Sequence, residues 1–85
     1  KEDHVESPIS SPEDVGRLVR SVRERYGASQ QDLADRLGVS QRWLSELELG
    51  KGKQANARYF EVLRLLGIRL AGSTSEDKPA IFDAP

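Results

Sequence analysis

The 85-residue chain has no cysteine and a single histidine. Without cysteine there is neither a disulfide framework nor a thiolate metal site. The histidine, His4, falls in a polar terminal stretch and reads as a solvated residue, because imidazole catalysis needs a pocket built around it. No histidine therefore stands in the expected folded region to activate a serine, and neither a carboxylate cluster nor a phosphate-binding loop is evident. An enzyme is not expected, nor a metal, a cofactor or a small-molecule ligand. No apolar run approaches the roughly 20 residues of a membrane span, and no signal-peptide pattern opens the sequence. The expectation is a cytoplasmic protein without a membrane partner. With 36% apolar residues, this length supports one small domain whose helices must share a core.

Positive charge also looks scarce, since the net charge is −1. That would argue against nucleic-acid binding, where phosphate contacts supply most of the affinity. Position removes the objection. Residues 1–11 set Lys1 against Glu2, Asp3 and Glu6, and residues 71–85 set Lys78 against Glu76, Asp77 and Asp83. The middle of the chain is therefore mildly basic.

What is present is concentrated in residues 29–50. Two short amphipathic segments, each opened by a serine, are joined by Leu37-Gly38-Val39, which leaves room only for a tight turn. That arrangement lays one helix across another and presents the second to solvent. The exposed face of the second segment carries Gln41, Arg42 and Ser45, which can reach base edges or phosphates.

Around this stretch, residues 1–10 read as a flexible arm, residues 11–71 as the folded domain and residues 72–85 as a disordered acidic tail. Ser11-Pro12-Glu13-Asp14 has the chemistry of a helix start: a capping hydroxyl, a proline whose missing N–H costs nothing there, and two acids at the positive helix end. Val15, Leu18, Val19, Val22 and Tyr26 follow as one apolar stripe ending at Gly27. Arg17, Arg20 and Arg25 lie on the opposite face, where such charges are ordinarily solvated. Ser29 caps the second helix, with Leu33, Ala34 and Leu37 inward. Gly38 can take the left-handed conformation that ends it. Ser40 caps the third helix, whose inward side is Leu44 and Leu47.

A fourth helix is expected over residues 55–66, with no strong cap. Its apolar residues wrap roughly 220° of the circumference, wider than one buried stripe needs. Either the first helix and the tail cover that width, or a second copy does. The second reading makes Tyr59, Val62, Leu66, Ile68 and Leu70 a two-fold dimer interface. Ile68-Arg69-Leu70-Ala71 alternates as a short strand without a partner in the chain. It either pairs across the dimer or is an extended exit from the helix. Ile81 and Phe82 are an apolar pair in a polar tail, either inconsequential or a docking peptide that orders on a protein partner.

Ser29-Gln30-Gln31-Asp32-Leu33-Ala34, then Gly38-Val39-Ser40-Gln41, then Leu44-Ser45-Glu46-Leu47-Glu48 and Gly50 resemble the helix-turn-helix of the Xre and phage-repressor family. The resemblance covers residues 12–67 and implies an all-α, compact four-helix domain, with the short C-terminal strand pairing across a homodimer. It implies that Gln30 holds a phosphate and that Gln41 and Arg42 contact bases. Ser45 faces the same groove, Ser40 and Trp43 border it, and Lys51 and Lys53 grip the sugar-phosphate backbone. For Trp43, packing against the preceding helix and lying on the DNA backbone are both open. Arg23 and Glu48 resemble the family's internal ion pair.

A fourth helix running into a short strand and an acidic tail further resembles HipB-like antitoxins, which partner HipA-type kinase toxins. The resemblance implies a repressor that binds double-stranded operator DNA, acts as the antitoxin of a type II pair and autoregulates its operon. A stand-alone repressor, and a protein-interaction module without DNA binding, are the other readings.

Overall fold

The computed structural model describes residues 8–51 and 56–83. Lys53 lies outside them. Four helices follow in order: α1 at Pro12–Arg25, α2 at Gln30–Leu37, α3 at Gln41–Glu48 and α4 at Ala57–Leu65. Helix α3 is the centre, and both α1 and α2 pack on it. Its Leu44 and Leu47 are almost wholly enclosed, joined by Val15 and Val19 of α1, Leu33 and Ala34 of α2, and Tyr59, Val62 and Leu63 of α4.

Each helix is opened by a side chain that satisfies an otherwise orphaned amide. The Ser11 hydroxyl accepts the Asp14 N–H at 3.1 Å, Ser29 accepts that of Asp32 at 3.0 Å, and Ser40 that of Trp43 at 2.9 Å. The first of these starts is reinforced by Asp14, whose carboxylate accepts the backbone N–H of Ser10 at 2.8 Å and pairs with Arg17. Donation by the Ser10 amide, above all, holds the Asp14 carboxyl below its ordinary value. A carboxyl depressed in the folded state stabilises above its unfolded pKa, and that contribution is lost as pH falls through the folded one. Asp14→Asn should therefore flatten the acid limb of melting temperature against pH, below about pH 4. An acid limb identical to that of the unmodified chain would contradict the assignment.

Helix α1 meets α3 backbone to backbone. A Cβ placed on Gly16 would lie 2.3 Å from the Glu48 carbonyl oxygen and 2.6 Å from that of Leu47. Only a hydrogen fits there. The α1 stripe is shorter than its spacing predicts: Val15 and Val19 are buried, Leu18 and Val22 are half-buried, and Tyr26 is 74% exposed. Tyr26 is already the C-cap, so its backbone has left the helical phase that carries the stripe.

Between α2 and α3, Gly38 adopts φ 74° and ψ 29°, the left-handed region that favours glycine. The Val39 N–H then reaches back to the Ala34 carbonyl at 3.0 Å and closes the turn.

Helix α4 corrects three expectations. It starts later than residue 55, because the Asn56 side chain accepts the Tyr59 N–H at 2.9 Å and caps it. Tyr59, Val62 and Ile68, expected at a dimer interface, are 6%, 2% and 8% exposed and belong to the chain's own core. Burial raises the pKa of the Tyr59 phenol, as that position requires. Leu66 is half-buried against the same core. Of the expected interface set only Leu70 is exposed, and the helix's outward apolar side chains are Phe60 and Leu65.

The expected strand is also absent. The Ile68 N–H is drawn back to the Leu63 carbonyl at 2.9 Å, so this residue ends the helix and plugs the core. Residues 69–71 continue outside regular secondary structure. Further on, Ala80–Phe82 forms a single 3-10 turn that leaves Ile81 and Phe82 exposed.

Candidate nucleic-acid interface

At 100° per residue, Arg42 stands opposite the Leu44 and Leu47 side of α3, with Gln41 and Ser45 beside it. Arg42 and Gln41 are exposed, and Ser45 is half-buried. The three residues expected to read bases are thus brought onto one presented surface. The Ser40 hydroxyl accepts the Trp43 N–H and so caps α3, and its own O–H is left to donate elsewhere. Trp43 is half-buried and packs against the core. Lys51 is exposed immediately beyond α3, where its backbone N–H donates to the Glu46 carbonyl at 2.8 Å.

Behind this surface lies a polar network. Arg23 donates through Nε to Glu48 Oε2 at 2.7 Å and through Nη2 to Oε1 at 3.0 Å, a two-point bond between α1 and α3. Its Nη1 donates to the Ala28 carbonyl at 3.0 Å, fixing the α1–α2 connection. The Glu48 side chain is only 4% exposed. Hydrogen bonding to that carboxylate raises the Arg23 pKa further still, so the cation is permanent.

Gln30 belongs to the same network, which the resemblance did not indicate. Its Nε2 donates to Glu48 Oε1 at 3.0 Å. A carboxylate only accepts, so the amide nitrogen must face it, and one N–H of that group remains for a further acceptor. The side chain at the start of α2 is thereby held by the end of α3.

Glu46 also gains a place at the surface. Its Oε2 accepts the Arg42 Nε–H at 3.2 Å, one helical turn away. The i,i+4 spacing of Arg42 and Glu46 was a sequence signal for that contact.

Among the described residues there is no cluster of metal-ligating side chains, and no helix is long and apolar enough to cross a membrane. Four helices around one core, with a capped eight-residue helix set out across a glycine turn, define a helix-turn-helix domain. A family model for the helix-turn-helix domain matches residues 14–70. The chain belongs to that family and is a helix-turn-helix transcription regulator of the Xre type.

An uncharacterized HTH-type transcriptional regulator of Sinorhizobium fredii is 39% identical over 59 residues, covering 69% of this chain and 78% of that one. Among solved structures, a HipA–HipB–O2–O3 complex contains a chain that matches with TM-score 0.66 and 23% identity, over 82% of this chain and 99% of that one. A HipB variant in complex with an O2 20mer matches with TM-score 0.68 and 22% identity, over 85% of this chain and all of that one. These structural likenesses concern the fold.

Proposed function

We propose that this chain is a dimeric, sequence-specific transcriptional repressor that acts as the antitoxin of a type II toxin–antitoxin pair. In this reading α3 enters the major groove of operator DNA. Gln41 and Arg42 contact bases, through adenine and guanine edges respectively, and Ser45 makes a close contact one turn on. Gln30, through the N–H that Glu48 leaves free, Lys51 and Lys53 hold phosphates and set the register. The observation that carries the reading is the outward row Gln41, Arg42 and Ser45 on a helix locked from behind by Arg23 and Glu48.

An eight-residue helix spans few base pairs, which favours a second copy on a second half-site about 34 Å away. The copies meet, in this proposal, over Phe60, Leu65 and Leu70, the apolar side chains that α4 and its exit leave outward. The arm at residues 1–10 and the tail at residues 72–85 flank the DNA-binding domain. The tail's Ile81 and Phe82 would dock on a HipA-type kinase toxin, and the resulting complex would repress its own operon. The likeness in fold to HipB, solved in complex with HipA, supports this partner.

Three measurements test the proposal. Selection from a random duplex library should yield a defined sequence, and size exclusion with light scattering should return twice the chain mass. Capture of a kinase-like protein from native extract should depend on Ile81 and Phe82. Replacing both by alanine should abolish capture and spare DNA binding; capture that survives would remove the pair from the toxin contact. The second reading is a stand-alone repressor, which the name of one relative, an HTH-type transcriptional regulator, also fits. Repression without any captured kinase would select it.

A further inference from the structure

We infer that Glu46 is a specificity-determining positioning residue that works through Arg42, an inference that rests on the DNA-reading role proposed for α3. Arg42 and Glu46 form a pair on the presented side of α3, with side chains 88% and 41% exposed. Pairs this exposed contribute little to stability, and arginine preceding glutamate is the weaker orientation on a helix. Folding does not need the contact, so its consequence lies in the surface it shapes.

A guanidinium has two edges that can form paired hydrogen bonds with a planar acceptor such as guanine O6 and N7. One uses Nε with an Nη, the other uses the two Nη groups. Glu46 occupies Nε, so the free paired edge is the end-on one, and the long side chain is steadied before it meets a base. The carboxylate also cancels the arginine's charge locally. Arg42 then adds little to indiscriminate phosphate attraction, the sequence-independent part of affinity. A cytosine amino group is the other partner a carboxylate here can accept from, which restricts the neighbouring base in the same direction.

The test uses the full chain and the duplex it selects from a random library. Arg42→Ala first locates the base pair at which discrimination is lost. At that base pair, Glu46→Ala should lower discrimination roughly tenfold while binding to scrambled duplex strengthens at low salt. Glu46→Gln keeps a neutral acceptor for Nε, so it should strengthen scrambled-duplex binding equally but retain most of the discrimination. Both variants should melt with the unmodified chain.

Discrimination unchanged in Glu46→Ala, where Arg42→Ala has lost it, would overturn the inference and leave the role of Arg42 standing. A lowered melting temperature, or equal weakening on both duplexes, would also overturn it by showing a structural role. If Arg42→Ala itself discriminates like the unmodified chain, the reading of α3 fails and this inference with it.

Discussion

Replacing Arg23 by alanine is expected to destabilise the domain by about 3–5 kcal/mol, the cost of leaving a buried charge without its partner. Glu48 is the charge left behind, with a side chain 4% exposed and two oxygens that Arg23 otherwise satisfies. Among the described residues Gln30 would be its remaining side-chain donor, and one neutral amide cannot compensate a buried carboxylate. Small domains have about 5–15 kcal/mol in total, so the loss removes a large fraction of stability and lowers the melting temperature by on the order of 20 °C.

The double replacement Arg23→Leu with Glu48→Leu removes both charges, and it should recover most of the loss. Thermal melts followed by circular dichroism decide it. A single variant within a few degrees of the unmodified chain would show that the pair is not what joins α1 to α3.

Gly16→Ala is expected to cost about 3 kcal/mol, although alanine is the better helix former by about 1 kcal/mol. The added methyl would meet the carbonyl oxygens of Glu48 and Leu47 at 2.3 and 2.6 Å. These are backbone atoms at the end of α3, not the tip of a flexible side chain, so the helices must separate. Separation also lengthens the bonds between Arg23 and Glu48, and the two replacements should therefore be non-additive. A denaturant titration that finds Gly16→Ala as stable as the unmodified chain would contradict this close approach. The same experiment at Gly72, where nothing lies within 4 Å of a Cβ, serves as the control.

These two residues also show what could be read from the sequence and what could not. The caps Ser11, Ser29 and Ser40 and the turn at Gly38 act on amides within four residues, so their meaning is local and their spacing announces them. The side chains of α3 that point inward and outward follow from its period alone. Gly16 is different. Its neighbours are residues 47 and 48, and no local pattern distinguishes a glycine under a crossing helix from any other helical glycine.

The width of the apolar face on α4 was legible, but its division was not. Tyr59, Val62 and Ile68 were available to a second copy only if the chain's own core did not take them, and three-dimensional packing decides that. Asn56 was overlooked as a cap because it stood inside the expected helix, one residue after its expected start. Gln30 was placed by resemblance on a phosphate; the structure adds the carboxylate that orients it. Ile68–Ala71 alternates like a strand, but the first of these side chains is the hydrophobic plug that follows a helix end.

A competition gel shift decides whether the outward row of α3 reads DNA sequence. The duplex selected by the unmodified chain competes against a scrambled duplex, for that chain and for Arg42→Ala. Loss of one bidentate base contact should weaken binding to the selected duplex by about 1–3 kcal/mol, roughly 5- to 150-fold, and leave scrambled-duplex binding within a few-fold. Equal affinity of both proteins for the selected duplex would show that Arg42 and its row do not read sequence.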